Sequence, residues 1–240
     1  MNAIFPVLDA RDDNEAVQSF NELITEFIQS ERAAFKADIE KNSELQAELP
    51  AKLSKNNLAI DYSSVFVRSK KNRILSVRFS RQRYIGGMAH PTLTHHTINY
   101  DFTHHHVLEL STLFKADSNY LIVLSGIVSD SLAKKLKGDF DKEGAAPNVD
   151  NFKQWNLKSD GILFTFEEGQ VAPRVYGAQT VLVPYKTIPG LLAEDTIVAH
   201  CANRKSHCLS SSLSTGGFLD EASLSAPSMR KKALEPSAAA

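Results

Sequence analysis

The chain contains little sulfur. Its only cysteines are Cys201 and Cys208, and it has three methionines in 240 residues. The first 200 residues therefore carry no thiol for a disulfide framework or a cysteine-held zinc. Excess charge is missing too. Twenty-seven Lys and Arg face 28 Asp and Glu, a formal net charge of -1, which leaves no basic field to gather nucleic acid. No apolar run approaches the roughly 20 residues of a membrane-spanning helix. The start, Met1-Asn2-Ala3-Ile4-Phe5-Pro6, lacks the basic region and apolar core of a signal peptide. A phosphate-binding loop, a dinucleotide glycine fingerprint, a Gly-x-Ser-x-Gly elbow and a His-Glu-x-x-His pair are all absent. No internal repeat is visible.

What is present has clear periodicity. From Asp12 to Ala47, Val17, Phe20, Ile24, Phe27, Ile28, Phe35 and Ile39 recur at helical steps. Asp12, Asp13 and Glu15 lie near the start, where a helix dipole favours negative charge. Strand patterns follow at Leu58–Tyr62, Val65–Val67 and Ile74–Tyr84, with Lys70-Lys71-Asn72 as a turn. Leu93–Phe102 is a further strand, and Thr103-His104-His105-His106 sits where a hairpin turn fits. Tyr120, Leu121, Leu124, Ile127, Val128, Leu132 and Leu136 make a second amphipathic helix. Strands are expected at Trp155–Leu157, Gly161–Phe166 and Thr180–Tyr185, and a short helix within Leu191–Ala199. From His200 the chain is rich in serine and loses its periodicity, which predicts a flexible tail. Helices do not alternate with single strands, so the expected class is α+β: an antiparallel sheet with a long N-terminal helix and a second helix packed on it. The expected division is 1–88, 89–192 and a terminal 193–240.

The densest punctuation is Tyr84-Ile85-Gly86-Gly87-Met88-Ala89-His90-Pro91, followed by Thr97-Ile98-Asn99-Tyr100-Asp101. Two glycines free the backbone and a proline fixes it, so the chain specifies a strand junction here. The junction gathers His90, His95, His96 and Asp101 within a short stretch. A metal reading is open, since imidazole ligates zinc. Adjacent His95 and His96 point to opposite faces of a strand, however, and the expected set contains no metal and no cofactor. The plainer reading has His90 bonding within the glycine turn and Asp101 tying the hairpin. Glu167 and Glu168 are adjacent and diverge, as in a solvated turn. Arg81 and Arg83 share a strand face beside the junction, where a solvated face or an acidic ligand both fit. Two His-Cys pairs, His200-Cys201 and His207-Cys208, allow either a zinc ligand set or a disulfide.

Taken in order, these residues resemble a known pairing of domains. Pro6, the helix with Phe20-Asn21-Glu22-Leu23-Ile24 and the strand Ile74-Leu75-Ser76-Val77-Arg78-Phe79 resemble the small domain beside the catalytic domain of PdaC-type polysaccharide deacetylases. Gly86–Pro91, Asn99-Tyr100-Asp101, Leu110–Phe114, Asp160–Phe164, Val171-Ala172-Pro173, Gly177 and Val183-Pro184-Tyr185 resemble the RsiV-like domain of a lysozyme-sensing anti-sigma factor. The resemblance spans about residues 4–190. Thr103–His106 replaces the family's small Gly-containing turn, and no deacetylase catalytic domain accompanies it. It implies a non-catalytic periplasmic or extracytoplasmic module of the cell envelope that binds a lysozyme-like protein or a cell-wall glycan. The ligand surface expected from it comprises Tyr84, Gly86, Gly87, His90, Pro91 and Asn99. The alternative is a metal- or His-dependent hydrolase of cell-wall polysaccharide using His90, His95 and Asp101.

Overall fold

The computed structural model describes residues 1–9, 15–69, 72–202, 209–212 and 229–234. Asp12, Asp13, Lys70, Lys71, His207 and Cys208 lie outside them. The chain forms two compact units. One comprises Met1–Ser63, Phe79–Thr94 and Ser214–Ala240; the other comprises Ser64–Arg78 and His95–Leu213. Each is assembled from separate stretches of chain, whereas the sequence suggested contiguous segments meeting after residue 88.

In the first unit, strand β1 (Asn2–Leu8) is followed by helix α1 (Glu15–Lys41) and the short α2 (Ser43–Ala47). The α1 stripe buries Val17, Phe20, Ile24, Ile28 and Phe35, the spacing that the sequence predicts. Asn21 ties the helix to the end of β1. Its Oδ1 accepts from the Leu8 N–H and its Nδ2 donates to the Leu8 carbonyl, both at 2.9 Å. Strand β2 (Asn57–Arg68) runs parallel to β1 at Ala59 and Ile60, an exception in a sheet that is otherwise mainly antiparallel. That pairing stops at Ala3, before Pro6, which has no N–H to offer.

Strands β3 (Arg73–Tyr84), β4 (Thr92–Asp101) and β5 (His106–Val107) continue the chain. Further on, α3 (Tyr120–Leu136) buries Leu124, Val128, Leu132 and Leu136, one residue per turn. It belongs to a core with Phe152, Trp155, Phe164, Phe166 and Tyr185 in the second unit. Phe114 stacks on Tyr120 with ring centroids 4.4 Å apart. Strands β6 (Trp155–Leu157), β7 (Gly161–Phe166) and β8 (Gln179–Pro184) form a three-stranded antiparallel sheet. Helix α4 (Ile197–Ala202) follows.

The serine-rich terminal region contributes two strands where a flexible tail is expected. β9 (Leu209–Ser212) pairs with β2 at Val65–Arg68, and β10 (Met229–Leu234) pairs with β1 from Ala3 to Leu8. The larger sheet runs β10-β1-β2-β3-β4-β5, with β9 on β2. The fold is α+β with an antiparallel-dominated sheet, as the sequence suggests.

Candidate functional site

The glycine junction is a built turn in the first unit. The Met88 N–H donates to the Ile85 carbonyl at 3.0 Å, and Gly87 has φ 91° at the third turn position, a conformation that favours glycine. Gly86 is buried. A Cβ there would lie 2.8 Å from the Ser54 backbone, so only glycine fits without movement. Asn56 fixes the turn from below. Its Oδ1 accepts from the Gly86 N–H at 2.8 Å, and its amide exchanges two hydrogen bonds with that of Gln46. The supported rim is exposed at Gly87, Met88, Ala89, His90 and Pro91, while Tyr84 is half-buried. His90 Nδ1 lies 3.2 Å from the Pro91 carbonyl. Leu53, half-exposed, adjoins Gly86 through its backbone and adds to the apolar character of this surface. Arg81 and Arg83 are bound internally, to Glu31 and Asp38 of α1.

Asn99 is in the second unit and only 2 % exposed. Its Oδ1 accepts from Ser76 Oγ at 2.7 Å and from the Leu157 N–H at 3.2 Å; its Nδ2 donates to the Trp155 carbonyl at 2.9 Å. Asn156 Nδ2 donates to Ser76 Oγ at 2.8 Å and to the Val77 carbonyl at 3.1 Å. This network joins β3, β4 and β6 within the unit. Asn99, expected on the ligand surface, is thus a buried bracket, because an amide with both ends engaged by backbone is held inside the sheet.

His95 is buried against Glu167. Glu167 Oε1 accepts from the His95 N–H at 2.7 Å, and Oε2 lies 3.1 Å from His95 Nδ1. The carboxylate clamps the strand and orients the imidazole. Glu167, expected in a solvated turn, is the partner that periodicity could not reveal, since it lies 72 residues away. Asp101 is 3 % exposed and serves the hairpin. It accepts from the Thr103 N–H at 2.7 Å and contacts His104 Nδ1 at 2.8 Å, while His105 takes φ 58°. Asp101 lies six residue steps beyond His95 on extended β4, about 20 Å along the strand. The structure does not bring these two together as a hydrolytic pair. Among the described residues, no group of three or more His, Cys, Asp or Glu is placed to hold a metal ion. Cys201 is disulfide-bonded, and neighbouring His200 turns its Nδ1 to the Thr196 carbonyl at 2.8 Å.

Two perturbed groups meet at the β6–β7 turn: Lys158 on it, and Tyr185, which follows β8 and donates to it. Burial, then the charge of Asp160, pushes the Tyr185 phenol far above its ordinary value, opposed by its 2.7 Å bond to the Lys158 carbonyl. Partial burial, then the charge of Arg78, lowers Lys158, and Asp160 acts the other way.

Known proteins share parts of this chain. Residues 111–186 match the family described as protein of unknown function DUF3298. That stretch lies within the second unit. The chain is 33 % identical over 147 residues to the peptidoglycan-N-acetylmuramic acid deacetylase PdaC of Bacillus subtilis, covering 60 % of this chain and 31 % of that protein. It is 31 % identical over 111 residues to the immunogenic protein MPB64 of Mycobacterium bovis, covering 45 % and 47 %. The chain therefore spans less than half the length of these curated relatives. A DUF3298 crystal structure from Bacteroides fragilis aligns with a TM-score of 0.48 and 16 % identity, over 80 % of this chain and 74 % of that one.

Proposed function

We propose that the chain is a non-catalytic, extracytoplasmic binding module of the cell envelope, with a cell-wall glycan as its ligand. The observation that carries this reading is the 33 % identity to a protein named for deacetylating peptidoglycan N-acetylmuramic acid. The disulfide at Cys201 supports an oxidising compartment outside the cytoplasm. The supported turn at Gly86–Pro91, with Tyr84 beside it, is the surface proposed for contact: its backbone is fixed and its rim is exposed. Pre-organised backbone of this kind lowers the entropic cost of binding.

The test is calorimetry with soluble peptidoglycan fragments and, separately, with a lysozyme. Saturable heat with the fragments supports the glycan reading. Saturable heat with lysozyme alone replaces it with a protein-sensing surface, the alternative raised by the RsiV-like resemblance. No heat with either partner refutes the binding module.

A further inference from the structure

The β4–β5 hairpin carries three consecutive histidines, His104-His105-His106, at its turn. The turn is anchored within the second unit. The Phe102 N–H donates to the Arg73 carbonyl at 2.9 Å, and the Arg73 N–H donates to Thr103 Oγ1 at 3.2 Å. Buried Asp101 accepts from the Thr103 N–H at 2.7 Å, and His106 is its partner across the β4–β5 ladder. His105 reverses the chain with φ 58°. The histidines on either side of it, His104 and His106, have ring centroids 6.0 Å apart. Each of these two rings has its tautomer set by the atom it faces. His104 Nδ1 lies 2.8 Å from Asp101 Oδ2, and His106 Nδ1 lies 3.3 Å from the His104 carbonyl. A carboxylate and a carbonyl only accept hydrogen bonds. Nδ1 therefore carries the proton in both neutral rings, and Nε2 keeps its lone pair. The His104 side chain is 59 % exposed and the Asp101 side chain 4 %. A buried carboxylate that orients an imidazole through Nδ1 is the arrangement that stands behind histidine ligands of metal ions.

We propose that His104 and His106 bind a borderline divalent cation of the zinc, copper and nickel class through their Nε2 atoms, with Asp101 as the positioning residue behind His104. Two imidazoles on one tetrahedral zinc have ring centroids roughly 5 Å apart. The 6.0 Å separation closes to that value by a small rotation of two exposed side chains. Neutral imidazole suits this class of cation and discriminates against magnesium and calcium, which take oxygen ligands. Among the described residues no third His, Cys, Asp or Glu is placed to join them. The chain therefore supplies two nitrogens, and the remaining positions fall to water or to a donor from an incoming partner. The site goes beyond the glycan reading and lies outside residues 111–186, the stretch that matches DUF3298.

The experiment is a titration of the full chain with zinc ion at neutral pH, and separately with magnesium, followed by NMR of the imidazole nitrogens. Expected are saturable shifts at Nε2 of His104 and His106 with zinc and none with magnesium. His104→Ala and His106→Ala each weaken zinc binding about tenfold or more; both side chains are exposed, so neither change threatens the fold. His105→Asn suits the left-handed backbone and leaves binding unchanged. Asp101→Asn keeps Oδ1 for the Thr103 N–H and sets an amide N–H against His104 Nδ1. Nδ1 must then accept, the proton moves to Nε2, and affinity falls by about 10–100-fold. The same spectra report that tautomer change, which a purely structural role for Asp101 would not produce. Absence of saturation or ligation through Nδ1 overturns the proposal. So does an equal loss in His105→Asn and His104→Ala, which would mean that a histidine run chelates without a built site. Unchanged zinc affinity in Asp101→Asn, with the tautomer switched, overturns it as well.

Discussion

Replacing Asn99 tests whether the buried bracket holds the second unit together. Asn99→Ala removes three hydrogen bonds, to Ser76, the Leu157 N–H and the Trp155 carbonyl. The loss is uneven. The Leu157 N–H keeps Ser76 Oγ at 3.1 Å, so it is not stranded. The Trp155 carbonyl loses the donor Asn99 supplies, inside a well-packed sheet. A typical net value of about 0.5–1.5 kcal/mol per bond, plus the penalty for an orphaned buried acceptor, gives a loss of roughly 2–4 kcal/mol. Asn99→Leu refills the volume but restores no polar partner, so it separates cavity from hydrogen bonding. Urea unfolding of the three proteins measures both, with an unchanged m-value showing that the unfolded state is comparable. The expected order is wild type above Asn99→Leu, with Asn99→Ala at or below it. If Asn99→Leu matches the wild type, packing rather than the polar network holds the strands, and the reasoning is refuted.

Other perturbations have equally definite outcomes. Gly86→Ala drives a Cβ into the Ser54 backbone at 2.8 Å and should cost about 1–3 kcal/mol in thermal unfolding; an unchanged midpoint would mean that Leu53–Ser54 yields freely. Gly87→Ala forces φ 91° on an L-residue, for a loss of about 1–2 kcal/mol by the same assay. Glu167→Ala strips His95 of its clamp and should cost about 1–3 kcal/mol, detected as faster amide exchange at His95. Tyr185 has a raised folded pKa, so its contribution is complete below the ordinary phenol value of 10 and declines as pH climbs above it, where the unfolded chain ionises first. Tyr185→Phe should flatten that alkaline decline in denaturation curves. Lys158 has a lowered folded pKa, so its charged form burdens the fold at neutral pH and the burden lifts as pH rises through the folded pKa towards 10.5. Lys158→Gln should raise the neutral-pH melting temperature and lose that advantage in alkali.

Sequence patterns made the helices legible because their burial is periodic: Leu124, Val128, Leu132 and Leu136 repeat every turn whatever they pack against. The Gly86-Gly87 junction was legible for a similar reason, since backbone freedom is written in the residue type itself. β10 was not. Its central residues are all exposed, and an exposed edge strand reading Arg-Lys-Lys-Ala carries no apolar alternation to distinguish it from a tail. The site residues divide the same way. Asp101 could be read as a hairpin tie because its partners are two and three residues away. Asn99 and His95 could not be placed, because Trp155 and Glu167 reach them from 56 and 72 residues on. Side-chain amides and carboxylates find partners by topology, and topology is not a local property.

The antiparallel pairing of β1 with β10 has a consequence for biosynthesis. Leu8 leaves the ribosome long before its partner Met229, with the whole of the second unit's chain in between. At about 5–20 residues per second, β1 waits on the order of ten seconds or more with that edge unpaired. Contacts so distant in sequence also slow closure through loop entropy. Within that interval the second unit can emerge and assemble. The nascent chain thus presents an open β-edge in the first unit throughout, the period in which a chaperone or a second nascent chain would compete for it.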